Sequence, residues 1–448
     1  MAIARKRVSE SACRSAMLEP QIETMRREQI ADLQLRRLRA TLRHAYKNVA
    51  PLRRRFAQAG VEPEDVKSLD DLPRLPFTTK ADLHENYPFG LFAVPQKDLA
   101  RIHASSGTTS ARPTVVGYTR QDLDTWTGLM ARSLACAGVR PGDVLHNAFG
   151  YGLFTGGLGF HYGSERLGCT VVPISGGNTE RQVAVLRDFR ATVLAATPSY
   201  ALHIAEVAEH TGVDLRRGPL RLGIFGAEPW SEAMRGELET RLGIDAIDLY
   251  GLSEIIGPGV AVECHQARRG MHVWEDHFLV EIVDPQSGQT LPLDHIGELV
   301  ITTLSKRALP MVRYRTRDIT GATAEPCACG RTHLRIFRLT GRTDDMLIIR
   351  GVNVYPSQVE EMLLGFAHLA AHYQLVVRRD NSMDTLLVQV EAHPDLAAEA
   401  YPAVAAKVEH QVKSKVGATC IVEVLRPGEV PRSEGKAMRV RDLRKAAD

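Results

Sequence analysis

Between about residues 100 and 305, short β-branched runs alternate with helical text: "TVVPI", "ATVLAATP", "LRLGIFG" and "DAIDLYG" each stand between segments of helical period. Apolar strands separated by helices predict βα units around a largely parallel sheet with both faces covered. Further on, "FLVEIVDP" and "GELVITTL" are joined by the polar, Gly-containing "QSGQTLPLDHI". That pattern predicts an antiparallel pair, so the sheets of this body are mixed. After "TGRTDD" the texture changes to "MLIIRG", a helix opening at Pro356, strands "YQLVVRR" and "TLLVQVEA", another helix, and "CIVEVLRPGEVPRSEGK". The fold class is therefore α/β: a large N-terminal body, residues 1–343, and a small α+β C-terminal domain, 344–448, with the boundary near Arg342 to Asp345.

A chain of 448 residues fits two or three domains at about 150 residues each, with ample core. No run of about 18 apolar residues predicts a transmembrane helix. The charged start "MAIARKRVSE" lacks the apolar stretch of a secretory signal, so the expected address is cytoplasmic. A net charge of only +3 gives no reason to expect nucleic acid. The densest basic stretch, "LQLRRLRATLRHAYKNVAPLRRRF", sets Leu35, Leu38 and Leu42 at helical spacing with arginines on the other face, which predicts a solvated helix face. Seven cysteines in a long chain argue for reduced thiols rather than a disulfide framework.

Four stretches could carry chemistry. In "SSGTTSARPT", Ser105 to Thr109 can turn backbone N–H groups and hydroxyls toward an anion, although an ordinary polar turn explains the same residues. It lacks the G-x-x-x-x-G-K-[ST] spacing of a Walker loop. In "DLYGLSE" an apolar strand ends at Tyr250 and Gly251 and is followed by Glu254, either a Mg²⁺ ligand beside a triphosphate or a helix-capping acid. Asp318 in "RYRTRDIT" is either part of a surface charge network with Arg313, Arg315 and Arg317 or an acceptor for two ribose hydroxyls. Lys436 in "PRSEGKAMRV" is either a solvated terminal lysine or a flexible point charge for a developing phosphate charge.

Taken in order, "LPFTTKADL", "RIHASSGTT", "FGYGLFTGGLGFHYGSERLG", "GAEPW", "YGLSE", "WEDHF", "YRTRDIT", "GRTDDMLIIRGVNVYPSQVE" and "PRSEGKA" resemble the phenylacetate–CoA ligase family of the acyl-adenylate-forming superfamily. The resemblance runs from about residue 20 to the end. It implies a two-step reaction: an aryl carboxylate attacks the α-phosphate of Mg-ATP and releases pyrophosphate, then the CoA thiol attacks the acyl-adenylate and releases AMP. Prepositioned cations and N–H donors should dominate such chemistry.

By the same resemblance, Ser105, Ser106, Gly107, Thr108 and Thr109 would hold the β- and γ-phosphates, and Glu254 would ligand Mg²⁺. Gly226, Ala227, Glu228 and Pro229, with Tyr250 and Gly251, would flank the adenine; Asp318 would grip the ribose, with Arg342 by the ribose and phosphate. Lys436 would stabilise the adenylation transition state, and Asp344 would be the hinge of a mobile small domain that rotates to open a CoA channel. Tyr151, with Ala227, Gly257 and Pro258, would line the aryl pocket, within a stretch whose aromatics Phe149, Phe154, Phe160 and Tyr162 also suit a plain core. Where the family reads "SSGTTGKPT", this chain has "SAR" for "GK", replacing a glycine and placing Arg112 at the lysine.

Cys327 and Cys329 form a C-x-C knuckle in "EPCACGRTH", and "ECHQARRGMHVWEDH" supplies Cys264 with His265, His272 and His277. Three thiolates and one imidazole fit a tetrahedral structural Zn²⁺, with His272 chosen as the fourth ligand. Some members of the family carry this element and others do not. The partners implied are an aromatic acid and CoA, without nucleic acid or membrane, and the family's habit allows a homodimer. The rival acceptor is a carrier-protein thiol loaded by an aryl-acid adenylase.

Overall fold

The computed structural model describes residues 17–105, 113–350, 352–380, 383–432 and 438–445. The basic segment forms helix α1 (Arg27–Asn48), which buries Ile30, Leu38 and Leu42 and leaves Leu35 half-buried at its edge, followed by α2 (Ala50–Ala59). Its polar face is less solvated than the arginine pattern predicts. Arg27 Nη2 donates to Glu275 Oε1 at 2.9 Å, Arg37 donates to the Asp276 carbonyl, and Arg39 Nε donates to the Val66 carbonyl at 2.8 Å. These guanidiniums span between elements, and long apolar stems let them do so from a helix surface.

Strands β1 (Arg101–Ala104) and β2 (Val115–Tyr118) pair antiparallel. Helix α3 (Arg120–Ala137) begins at Thr119, whose hydroxyl accepts from the Asp122 N–H in a capping box, and ends at the left-handed Gly138. The βα alternation then delivers β3 (Val144–Asn147), α4 (Gly156–Leu167), β4 (Thr170–Val172), α5 (Thr179–Asp188), β5 (Val193–Ala196), α6 (Pro198–His210), β6 (Leu222–Gly226), α7 (Glu232–Leu242) and β7 (Asp245–Leu252). Strands β4, β3, β5, β6 and β7 run parallel, as the alternation of largely apolar strands with helices predicts. Strands β8 (Gly257–Glu263) and β9 (Met271–Val273) extend that sheet antiparallel.

The predicted antiparallel pair is β10 (Phe278–Val283) and β11 (Gly297–Thr303). They join β12 (Tyr314–Thr320) and, after β13 (Ala322–Thr323) and β14 (Arg335–Ile336) have closed the edge of the large sheet, β15 (Gly341–Arg342). The small unit comprises the hairpin β16 (Leu347–Ile349) and β17 (Val352–Val354), helix α8 (Pro356–Leu363), β18 (Leu369–Asp380), β19 (Met383–Ala392), α9 (Tyr401–Val416), β20 (Cys420–Leu425) and β21 (Val440–Asp442). It has a core of its own, in which Val359, Leu375, Val388 and Val408 are fully buried. Among the described residues, no helix is long and apolar enough to cross a membrane.

Candidate active site

The carboxyl ends of β6 and β7 open into a cleft that β12 and β15 close from the side. Close approach fixes two glycines there. A Cβ on Gly226 would meet the Leu249 carbonyl oxygen at 2.1 Å, and one on Gly251 would meet the Gly257 carbonyl oxygen at 2.2 Å. Ala227, with φ of 70°, turns the chain sharply out of β6. The cleft, with about 600 Å³ of open space, gathers Gly226, Ala227, Glu228, Pro229, Tyr250, Gly251, Asp318 and Arg342. Strand ends of this kind are where ligands dock in open α/β sheets.

Asp318 is buried, not part of a surface network. Tyr250 Oη donates to its Oδ2 at 2.6 Å, and Arg342 Nη1 donates to its Oδ1 at 3.2 Å across the β12–β15 register. Burial raises the Asp318 carboxyl above the usual carboxylate range, although Arg342 and Tyr250 oppose the shift. The neighbouring arginines each have a partner elsewhere: Arg313 donates to Glu281 through Nε and Nη2, Arg315 pairs with Glu298, and Arg317 with Asp344 at 3.5 Å. Arg342 Nε also donates to Asp344 Oδ1 at 2.8 Å. Burial works against the Asp344 carboxylate, but the hydrogen bonds and charge of Arg342 hold it below its usual range. Glu228 is turned toward α6, where it accepts from Ser199 N at 2.8 Å and Ser199 Oγ at 2.5 Å.

Glu254 lies in the turn between β7 and β8, with no helix after it to cap. The turn is held from several sides. Lys306 Nζ donates to the Glu254 carbonyl at 3.1 Å, Tyr118 Oη to the Ile256 carbonyl at 3.0 Å, Trp126 Nε1 to the Pro258 carbonyl at 2.9 Å, and the hydroxyls of Thr155 and Ser253 meet at 3.1 Å. Burial, with the Glu254 charge adding to it, raises the Tyr314 phenol well above its usual range. Lys306 is buried with its ammonium 4.8 Å from the Tyr118 ring centroid, and burial lowers it to about 8. A partly exposed carboxylate on so rigid a turn is a suitable oxygen donor for Mg²⁺. Ser105 N donates to the Thr114 carbonyl at 2.9 Å at the foot of the loop. Ser106, Gly107, Thr108, Thr109, Arg112 and Lys436 lie outside the described residues.

The aromatics of the "FGYGLF" stretch divide by environment. Phe149 and Phe160 stack at 4.9 Å in the core, while Phe154 and Tyr162 are exposed. Tyr151 is half-buried; Asn147 Nδ2 donates to its hydroxyl at 2.8 Å and His161 Nδ1 lies 3.1 Å away. Burial pushes the phenol to about 12. Gly257, with φ of 104°, abuts Trp126, where a Cβ would come within 2.6 Å of the indole, and Pro258 abuts Gly159 of α4. The loop bearing Tyr151 leads into that same helix. Ala227, in β6's exit turn, lines the strand-end cleft, whose walls include neither Tyr151 nor Gly257 nor Pro258.

Cys264, His272, Cys327 and Cys329 converge, their ligand atoms all within 4.8 Å of one another. Cys264 Sγ and Cys327 Sγ are 3.6 Å apart, and Cys329 Sγ is 3.3 Å from His272 Nε2. A tetrahedron with Zn–S bonds of about 2.3 Å has edges of about 3.8 Å, so the four atoms fit such an ion. His272 Nδ1 lies 3.3 Å from the His333 carbonyl, which directs Nε2 at the thiols. Hydrogen bonds from Cys264 and Cys327 hold the Cys329 thiol well below its usual range, so the donor set already favours a thiolate. His265 and His277 point elsewhere, to Asp245 and Ser305.

Sequence reasoning missed Lys306, Asp248 and the Trp230–Arg338 pair. Asp248 and Arg338 line the cleft, and Arg338 lies 5.3 Å over the Trp230 ring. Burial raises Asp248 to about 6, with the Glu263 charge adding to it. None of these sits in a motif with telltale spacing. "DLY" alone marked Asp248, as a polar residue inside an apolar strand.

The model of the AMP-binding enzyme family matches residues 24–305, and that of the AMP-binding enzyme C-terminal domain matches residues 351–444. The chain is 53% identical over 431 residues to the phenylacetate-coenzyme A ligase of Escherichia coli (strain K12), covering 95% of this chain and 98% of that one. It is 51% identical over 445 residues to the enzyme of the same name from Thermus thermophilus, covering 96% and 100%. Among solved structures, 2-hydroxyisobutyryl-CoA ligase in the postadenylation state with 2-HIB-AMP superposes with a TM-score of 0.90 at 31% identity, covering 95% of this chain and 92% of that one. The same enzyme with 2-HIB-AMP and CoA in the thioesterification state gives 0.71 at 31% identity, covering 94% and 91%.

Proposed function

The chain belongs to the AMP-binding enzyme family, and from that premise we propose that it is an ATP-dependent, AMP-forming ligase that activates phenylacetate or a related aryl acid and transfers the acyl group to CoA. The observation that carries this reading is the strand-end cleft, where Tyr250, Asp318 and Arg342 interlock in a chain half identical to phenylacetate–CoA ligases over nearly its full length. Full-length relatives with a CoA acceptor disfavour the carrier-protein alternative.

In this reading the adenine lies against Gly226 to Pro229 and Tyr250 to Gly251, where glycines let the backbone approach a flat base. Asp318 accepts the ribose hydroxyls and Arg342 faces the ribose and α-phosphate. The buried Asp318 carboxylate, already oriented by Tyr250 and Arg342, needs no reorganisation to do so. The loop Ser105 to Thr109 cradles the β- and γ-phosphates, and Lys436 meets the charge that develops as the carboxylate attacks. Mg²⁺ bound by Glu254 would neutralise phosphate charge and orient the leaving pyrophosphate. Tyr151, Ala227, Gly257 and Pro258 border the aryl group. Residues 344–448 form the mobile small domain and turn about Asp344 between half-reactions. A structural Zn²⁺ would be held by Cys264, His272, Cys327 and Cys329, tying the loop before β14 to β8 and β9 at the sheet edge, away from the chemistry.

The test is AMP formation from ATP and Mg²⁺ across a panel of aromatic acids, with and without CoA, with mass detection of thioester. Phenylacetyl-CoA formed with stoichiometric AMP is the expected result. Adenylation without any CoA product would replace CoA by another thiol acceptor, and ADP formation would remove the reading.

A further inference from the structure

The small domain rests on helix α6 through an ion-pair cluster that no step described above uses. Glu206, on α6, receives His372 Nε2 from β18 on Oε1 and Arg432 Nε on Oε2 at 3.1 Å, with His203 Nδ1 of its own helix at 3.4 Å. Arg432 is meanwhile clamped by two bonds to buried Glu391 of β19, Nη1 to Oε1 at 2.7 Å and Nη2 to Oε2 at 2.8 Å. Its third donor direction is thus aimed at the body by an anchor inside the small domain. Ala371, beside His372, enters the apolar cluster built by α6 and α7. A further polar contact here is weaker in charge: Glu360 Oε1 accepts the Ser231 N–H at 3.2 Å, while its second oxygen is already shared by Tyr373 and Arg439.

The electrostatics agree with the geometry. Burial disfavours the ionised Glu206 carboxyl, yet hydrogen bonds from His203 and His372 and the charges of His372 and Arg432 hold it well below the usual range. A carboxylate whose cationic partners are split between two domains belongs to one arrangement of those domains. That arrangement matches the postadenylation state of 2-hydroxyisobutyryl-CoA ligase at a TM-score of 0.90 and its thioesterification state at 0.71.

We propose that Glu206 is a positioning residue for the first half-reaction: it is the docking point on the body through which Arg432 and His372 hold the small domain in the arrangement that adenylates, and the cluster must open before thioester formation. This rests on the function proposed above. Arg432 keeps Glu391 when Glu206 is neutralised, so Glu206→Gln loosens docking and leaves the fold of each domain intact.

The experiment measures the half-reactions separately in the full chain: phenylacetate-dependent ATP–pyrophosphate exchange, and phenylacetyl-CoA formation from synthetic phenylacetyl-adenylate and CoA. Glu206→Gln should lower the exchange kcat about tenfold with little change in KM for ATP, and leave thioester formation at or above the wild-type rate. His372→Gln should shift the same balance less far, and Glu206→Asp should recover part of the exchange. Equal loss in both half-reactions, or no loss in either, would overturn the proposal. Absence of exchange in the wild-type enzyme would instead overturn the functional reading on which it rests.

Discussion

Asp318 and Arg342 stand directly opposite each other across the β12–β15 register, and the guanidinium that holds Asp318 also holds Asp344 two residues further along the chain. One arginine therefore joins the floor of the cleft to the start of the small domain. In the function proposed above, that single fork of donors would couple domain position to nucleotide contact.

Replacing Asp318 by Asn keeps the shape and removes the charge that Tyr250 and Arg342 converge on. The loss in kcat/KM for ATP should be about 100-fold, with a much smaller change in KM for the acid. Steady-state kinetics with each substrate varied in turn check this; an equal loss toward both substrates would place Asp318 in the scaffold alone.

Cys327→Ser removes one corner of the thiol–imidazole cluster. Zinc should fall from about one ion per chain to near zero, because the site forms only in the folded protein. The melting temperature should drop by at least about 4 °C. Metal analysis of the purified protein with a thermal scan reads both, and activity per folded molecule should survive.

His146 sets a pH dependence. It is fully buried at the end of β3, with Nε2 2.6 Å from Gln182 Oε1, and burial lowers the ring to about 4. The folded chain therefore binds this proton later than the unfolded chain as pH falls. The stability tied to the neutral ring is complete above about pH 6.5 and is lost as pH drops toward 4. His146→Gln should make the decline in unfolding free energy between about pH 7.5 and 4.5 smaller, by on the order of 2 kcal/mol, read from urea titrations at the two pH values.

What could be read in the sequence was whatever local pattern encodes. The βα alternation gave β5 and β6 their place because fully apolar strands flanked by helices have one way to pack. The C-x-C spacing brought Cys327 and Cys329 to one point, and of the three histidines weighed beside them it is His272 that lies near the thiols, His265 and His277 being turned to Asp245 and Ser305. What escaped was set by distant partners. Three arginines around Asp318 looked like a wet surface, but Arg313 and Arg315 answer Glu281 and Glu298 on other strands, which leaves Asp318 dry. The arginines of α1 resembled a solvated face until Glu275 and Asp276 came up against them. Lys306 carried no signal, because its role in bracing the Glu254 turn depends on a fold-made contact across 52 positions.

The most direct measurement of the central claim, that the acid is activated on the α-phosphate of ATP, follows oxygen. Phenylacetate labelled with ¹⁸O in both carboxyl positions is turned over with ATP, Mg²⁺ and CoA, and the products are weighed. One ¹⁸O should appear in AMP for each thioester formed. Label in inorganic phosphate with ADP as the nucleotide, or AMP free of ¹⁸O beside labelled acid, would contradict the proposed chemistry.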